Sequence, residues 1–284
     1  MKDKVLVLLF GLMMIFMAAS AQEKAARLIV RGDDMGFSHA GNKALVKCYK
    51  EGIERSIEIL VPSPWFPEAV KLLEKIPDAD VGVHLALTSE WETIKWRPLT
   101  YCPSLTDSSG YFYPMLWPNK NYTGKALKEH EWKLDEVEKE LRAQIELAIK
   151  KIPRISHVSA HMGCTELDNS VSDLVRKLVK EYKIDIDLKA IGVKGIGYKG
   201  PNVTAAEKVK SFINMLDSLK PGETYLFVDH PALDGPEMRA IYHIGYENVA
   251  EDRQGVTDVF TSPEVMQAIR RRNIQLISYA DLKK

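Results

Sequence analysis

Cysteine is scarce in this chain, with only Cys48, Cys102 and Cys164 among 284 residues. No C-x-x-C pair occurs, which removes zinc-ribbon and dithiol redox readings, and an odd number leaves at least one free thiol. Cys164 lies three residues beyond His161, but a small buried residue near a site accounts for it more simply than a ligand does. Charge of one sign is also missing. The 39 basic residues balance 39 acidic ones, so nothing points to nucleic acid or to anionic lipid. There is no G-x-S-x-G elbow, no G-x-x-x-x-G-K-[ST] phosphate loop and no H-E-x-x-H helix. Gly195-Ile196-Gly197 lacks the rest of a dinucleotide fingerprint. Internal repeats, low-complexity tracts and interdomain linkers are absent.

Long apolar runs are confined to residues 1–21. Lys2 and Lys4 precede an apolar stretch from Val5 to Ala18, and Ala19-Ser20-Ala21 has the small-x-small form of a cleavage signal. A secretory signal peptide is therefore expected, with Gln22 as the mature N-terminus and the protein exported to the periplasm or beyond the cell. An uncleaved anchor is the alternative, but the stretch is short for a bilayer span of about 20 residues. No Cys stands at the cleavage point to carry a lipid, and no stable membrane insertion is expected after cleavage. Residues 22–284 then form one domain, long enough to bury a sizeable core.

Apolar runs at 27–32, 56–61, 81–87, 155–161, 184–193, 224–229 and 274–279 alternate with amphipathic stretches at 41–51, 67–75, 127–151, 170–182, 205–219 and 263–271. The runs are rich in Val and Ile, as in parallel strands covered on both faces. Within 127–151, Leu134, Val137, Leu141, Ile145 and Ala148 recur at helical spacing. Such alternation, with about seven strands, predicts a single α/β domain around a parallel sheet. A closed or nearly closed barrel competes with an open doubly wound sheet. Asp33, Asp34, His161 and His230 all fall at or just beyond C-terminal strand ends. Barrels gather functional residues from many strands at that face, whereas open sheets bind at one switch point, so the barrel is expected. Segments 90–123 and 234–256 look irregular. The first holds Trp91, Trp96, Tyr101, Tyr111, Phe112, Tyr113 and Trp117. A structureless stretch of that length is often a binding loop, and packed core is the other reading of its aromatics.

Three polar motifs end apolar runs: Asp33-Asp34, His84 and His161. One carboxylate and two imidazoles make a three-ligand set that leaves a metal position open for water. Adjacent strand residues point to opposite sides, but a turn at the strand end, permitted by Gly36, can aim both carboxylates at one pocket. One can then bind a cation while the other serves as base. A loop or cap role for the Asp pair, and a backbone-bonded core role for His84, are the structural alternatives. His157 and His161 are four apart, about 13 Å along a strand, so they do not share an ion and His157 is read as structural. His230 follows the run 225–228 and precedes Pro231, a position suited to a general acid, with Asp229 beside it to orient the ring.

In order, Gly32-Asp33-Asp34-Met35-Gly36-Phe37, Val81-Gly82-Val83-His84-Leu85-Ala86-Leu87-Thr88, Ser159-Ala160-His161 and Asp229-His230-Pro231-Ala232 resemble the motifs of the YdjC-like carbohydrate deacetylases. The likeness runs from Leu28 to Leu282, and G-x-H-L-x-L-T is its most specific part. It implies a distorted (β/α) barrel that removes acetyl groups from N-acetylated sugars with a divalent metal. Carried over by motif, the implied metal ligands are Asp34, His84 and His161, the catalytic base is Asp33, and the general acid is His230. Two segments depart from the family pattern. Arg31-Gly32 stands where an Asn-Ala-like pair is usual, and the residues around His161 are poorer in histidine.

A metal-dependent carbohydrate deacetylase is thus expected. Zn²⁺ suits one carboxylate, two imidazoles and an open position, with Mg²⁺ the alternative. The expected partner is an acetylated amino sugar or short oligosaccharide, and self-association into a homodimer is compatible with the sequence. The rivals are a non-catalytic carbohydrate-binding protein on the same scaffold and a metal-dependent hydrolase of another amide or ester. A glycosidase needs a second carboxylate across the bond from Asp33, and the sequence identifies none.

Overall fold

Among the described residues seven strands, paired only in parallel, build one sheet: β1 (Arg27–Met35), β2 (Ser56–Ile59), β3 (Asp80–Leu85), β4 (Ile155–Ala160), β5 (Lys194–Ile196), β6 (Thr224–Asp229) and β7 (Gln275–Ile277). The computed structural model describes residues 24–283, so the signal-peptide reading of residues 1–21 lies outside the described residues. The strand order is β4-β3-β2-β1-β6-β5. One edge of β1 pairs with β6 over residues 27–32. The other edge is divided, residues 27–29 pairing with β7 and residues 31–35 with β2. This division lets β2 splay away from β7, and the sheet curls. A flat sheet would separate β1 from β4 by three spacings, about 14 Å. Instead His161, just past β4, lies 3.1 Å from Asp34 of β1. Lower in the sheet, Tyr279, just past β7, stacks on His157 of β4 with ring centres 3.6 Å apart. The architecture is a distorted, incomplete (β/α) barrel in a single α/β domain.

The helices are α1 (His39–Glu51), α2 (Phe66–Leu73), α3 (Leu134–Lys151), α4 (Asn169–Glu181), α5 (Ala205–Leu216), α6 (Pro236–Arg239), α7 (Val249–Phe260) and α8 (Pro263–Arg271). Local chemistry sets several of their starts. Ser38, Asp168 and Ser262 each accept from a first-turn N–H, and Thr204 with Glu207 forms a capping box. On α3 Val137, Leu141, Ile145 and Ala148 are buried as their spacing predicts, whereas Leu134, at the helix start, is exposed. Of three polar members buried with this stripe, Glu136, Glu140 and Gln144, the last two steer the chain that leaves β3. Gln144 accepts from the Ala86 N–H at 3.0 Å and donates to its carbonyl at 2.8 Å. Glu140 accepts from the N–H groups of Leu99 and Thr100 at 3.1 and 2.9 Å. The loop held in this way carries Glu90 and Trp91.

Segment 184–193, expected as a strand, is a turn-rich loop, and β5 is only the short Lys194–Ile196 after it. Asp187 Oδ1 accepts from the Ala190 N–H at 3.0 Å, and Gly192 has φ +75°. Turn chemistry at these two residues overrides the apolar alternation. Ile186 and Leu188 still pack against Ile29, Ile277 and Tyr279. Among the described residues no strand joins β4 to β5, and this segment covers the gap. Residues 127–151 open as a 3₁₀ turn at Leu127–Glu129 and become α-helical at Leu134. Segment 234–256 is less irregular than expected, since α6 and part of α7 lie in it. In 90–123, Trp91, Trp96 and Phe112 are core, while Tyr101 and Trp117 are exposed. No helix among the described residues is long and apolar enough to cross a membrane.

All three cysteines are free and buried. Burial pushes the Cys102 and Cys164 thiols up, to about 11 and about 12, which suppresses the reactive thiolate. The folded protein should therefore react negligibly with Ellman's reagent, and all three thiols should titrate after denaturation. A fast-reacting thiol in the folded state would contradict this packing.

Candidate active site

β1 runs on through Asp33 and Asp34 to Met35. Asp34 has φ +68°, a left-handed conformation uncommon for residues with a Cβ. The β1–β2 register shifts at the same place, between Gly32 and Met35. This irregularity breaks the strand alternation, and both carboxylates meet one imidazole. His84 Nε2 lies 3.8 Å from Asp33 and 3.4 Å from Asp34. Asn42 steadies the turn by accepting from the Gly36 N–H at 2.7 Å. His84 comes from β3, while His161 and His230 are the first residues past β4 and β6.

Asp34, His84 and His161 are buried, and their donor atoms lie within 4.8 Å of one another. Asp34 Oδ1 is 3.1 Å from His161 Nδ1 and 3.4 Å from His84 Nε2. Donor atoms around a tetrahedral ion with bonds of about 2.1 Å would be roughly 3.4 Å apart. The observed edges therefore fit a divalent ion, and so does the donor set of one carboxylate and two imidazoles. His161 presents Nδ1 because its Nε2 is 2.9 Å from Glu90, an arrangement common behind metal-binding imidazoles.

The electrostatics also suit a cation. Burial opposes the charge on His161, but Glu90 and Asp34 outweigh it and push its pKa up to about 10. Burial likewise opposes ionisation of Asp34, yet His161 and His230 hold it well below the usual carboxylate range. Asp33 is gripped by Arg31, whose Nε and Nη2 donate to its two oxygens at 2.7 and 2.8 Å. His230 is the open member, with its side chain 37% exposed, Nε2 3.9 Å from Asp34 and Nδ1 3.7 Å from Asp229. Desolvation opposes its charge, but Asp34 and Asp229 raise its pKa.

A pocket of about 370 Å³ opens onto these groups, with Trp91, Met162, His243, Tyr246 and Arg253 completing its wall. Arg253 lies 4.7 Å from the Phe37 ring centre and 5.1 Å from that of Trp91, and its Nη2 donates to Asp34 Oδ2 at 3.0 Å. Arg253 Nε and Nη1, and Trp91 Nε1, are buried donors with no protein acceptor.

The structure thus brings together Asp33, Asp34, His84, His161 and His230 from distant parts of the chain. It sets His157 apart, bonded to Glu58 and Ser156. Sequence reasoning missed Arg31, Glu90 and Arg253 as members of the site. Arg31 carried a readable signal, a charge inside an apolar strand. Glu90 and Arg253 lie in the two segments that looked irregular, and only tertiary folding brings them to the pocket.

Comparison with known proteins gives the family and the fold. A family model described as YdjC-like protein matches residues 27–271. A carbohydrate deacetylase of Brevibacillus brevis is 26% identical over 273 residues, covering 90% of this chain and 99% of its own. One from Thermus thermophilus is 30% identical over 239 residues, covering 75% and 80%. In three dimensions the chain is similar to an Enterococcus faecalis crystal structure provisionally assigned as a cellobiose-phosphate cleavage protein. The TM-score is 0.71 at 23% identity, covering 91% of this chain and 99% of that one, a likeness that speaks for the fold alone. With the family model matched over nearly the whole barrel, this chain belongs to the YdjC-like protein family.

Proposed function

We propose that this chain is a metal-dependent deacetylase that removes acetyl groups from N-acetylated sugars or short oligosaccharides. The observation that carries the reading is the buried Asp34, His84 and His161 cluster, set beside Asp33 at the pocket. The names of the similar carbohydrate deacetylases support the substrate class. Asp34, His84 and His161 would hold the ion, with Zn²⁺ the best match to their chemistry and Mg²⁺ the alternative. A divalent ion bound there polarises an acetyl carbonyl and makes water a better nucleophile.

The remaining work falls to the protein's own side chains. Asp33 faces the same imidazole nitrogen as Asp34 and takes the proton of the attacking water. Arg31 fixes the orientation of that carboxylate through two bonds. His230, at the open side, gives a proton to the departing amine as the C–N bond breaks, and acetate and a free amino sugar leave. The composition of residues 1–21 adds the proposal that the enzyme is exported and works outside the cytoplasm.

Purified residues 22–284 should release acetate from N-acetylglucosamine oligomers. A chelator should abolish the release, and added Zn²⁺ should restore it. Saturable sugar binding without acetate release would establish the carbohydrate-binding rival instead.

A further inference from the structure

The mechanism above leaves one buried assembly unused. Inside the barrel, behind His84, polar side chains of β2, β3 and β4 form a continuous chain of hydrogen bonds. At its far end Asp80 accepts from Ser156 Oγ at 2.5 Å, from Ser56 Oγ at 2.7 Å and from the Tyr279 N–H at 3.0 Å. A serine hydroxyl has one proton, and Ser156 has committed it to Asp80. At its 2.6 Å contact with His157 Nδ1, Ser156 must therefore accept. His157 Nε2 meets Glu58 Oε1 at 2.6 Å. The other Glu58 oxygen accepts from Ser159 Oγ. With its proton given to Glu58, Ser159 must accept at its 2.7 Å contact with His84 Nδ1. His84 Nδ1 therefore bears the hydrogen, and the lone pair of the neutral ring sits on Nε2, the atom 3.4 Å from Asp34.

We infer that Ser159 and Glu58 are positioning residues that lock His84 in its Nδ1–H tautomer and so keep Nε2 ready for a divalent ion. The inference rests on the metal reading above. Sheet register supplies the parts, with His84 opposite Ser159 and Gly82 opposite both Glu58 and His157. Gly82 makes room for the Glu58–His157 pair on which the network depends. A Cβ there would lie 2.3 Å from Glu58 Oε2 and 2.5 Å from His157 Nε2, so β3 passes bare backbone over this pair. Packing alone would not require a hydroxyl at 159.

The test is Ser159→Ala, with Ser159→Thr as the conservative partner. Two-bond ¹H–¹⁵N correlation of the imidazoles reads the tautomer in metal-free protein, and competition with a chromophoric chelator reads zinc affinity. The wild type should show His84 protonated on Nδ1. The alanine variant should lose that single-tautomer signature, and its zinc affinity should fall about 10–100-fold, the usual cost of losing an outer partner of a metal-binding imidazole. The threonine variant should recover both, and near-UV circular dichroism should show the same folded state in all three metal-free proteins. An alanine variant that binds zinc as tightly as the wild type would overturn the inference, and so would a wild-type His84 protonated on Nε2. A wild type that binds no zinc would defeat the metal reading, while the tautomer result would still decide the hydrogen-bond argument.

Discussion

Asp33→Asn should cut acetate release by roughly 10²–10⁴-fold, the range for losing a general base, while the protein still binds its ion. The amide has nearly the same shape as the carboxylate but cannot take the proton of the attacking water. It also disturbs the grip of Arg31, because only one of its two polar ends can accept where both Asp33 oxygens now do. The residues proposed to hold the ion are Asp34, His84 and His161, so metal content should stay at the wild-type level. Steady-state kinetics and elemental analysis on the same preparation check both halves. A variant with activity within a few-fold of wild type would remove Asp33 from the mechanism.

His84→Ala should act in the opposite order, with metal lost first and activity lost as a consequence. His84 supplies one of three converging donor atoms from a position only 1% exposed, so no outside group readily replaces it. Its removal should weaken zinc binding by more than the roughly 100-fold that outer partners command. Acetate release should be undetectable at metal concentrations that saturate the wild type. Full metal occupancy in this variant would mean that the ion sits elsewhere. The two substitutions together separate a proton-transfer defect from a metal-binding defect.

Much of the site was legible because buried strands have little use for ionisable groups. His84 and His161 stand out against apolar neighbours, and the Asp33-Asp34 pair marks the end of another such run. Their convergence was less legible, since it depends on the left-handed φ of Asp34 and on the register shift in β1. Glu58 carries the same signal as His84, a charge inside the run Ser56–Ile59. Its meaning comes only from cross-strand register, which one strand cannot announce. Glu90 and Arg253 come from stretches without usable periodicity and reach the pocket through tertiary folding. The barrel itself followed from strand–helix alternation and from polar residues gathered at strand ends. Where that reading failed, at 184–193, a local turn at Asp187 and Gly192 outweighed apolar alternation. The true strand Lys194–Ile196 is too short to show a period.

The central claim is that side chains from β1, β3 and the end of β4 share a single cation. Diffraction from crystals of the zinc-loaded protein, recorded on either side of the zinc absorption edge, tests it most directly. One strong anomalous peak is expected about 2.0–2.2 Å from Asp34 Oδ1, His84 Nε2 and His161 Nδ1 alike. Zinc bound only at other residues, with no peak among these three, would contradict it.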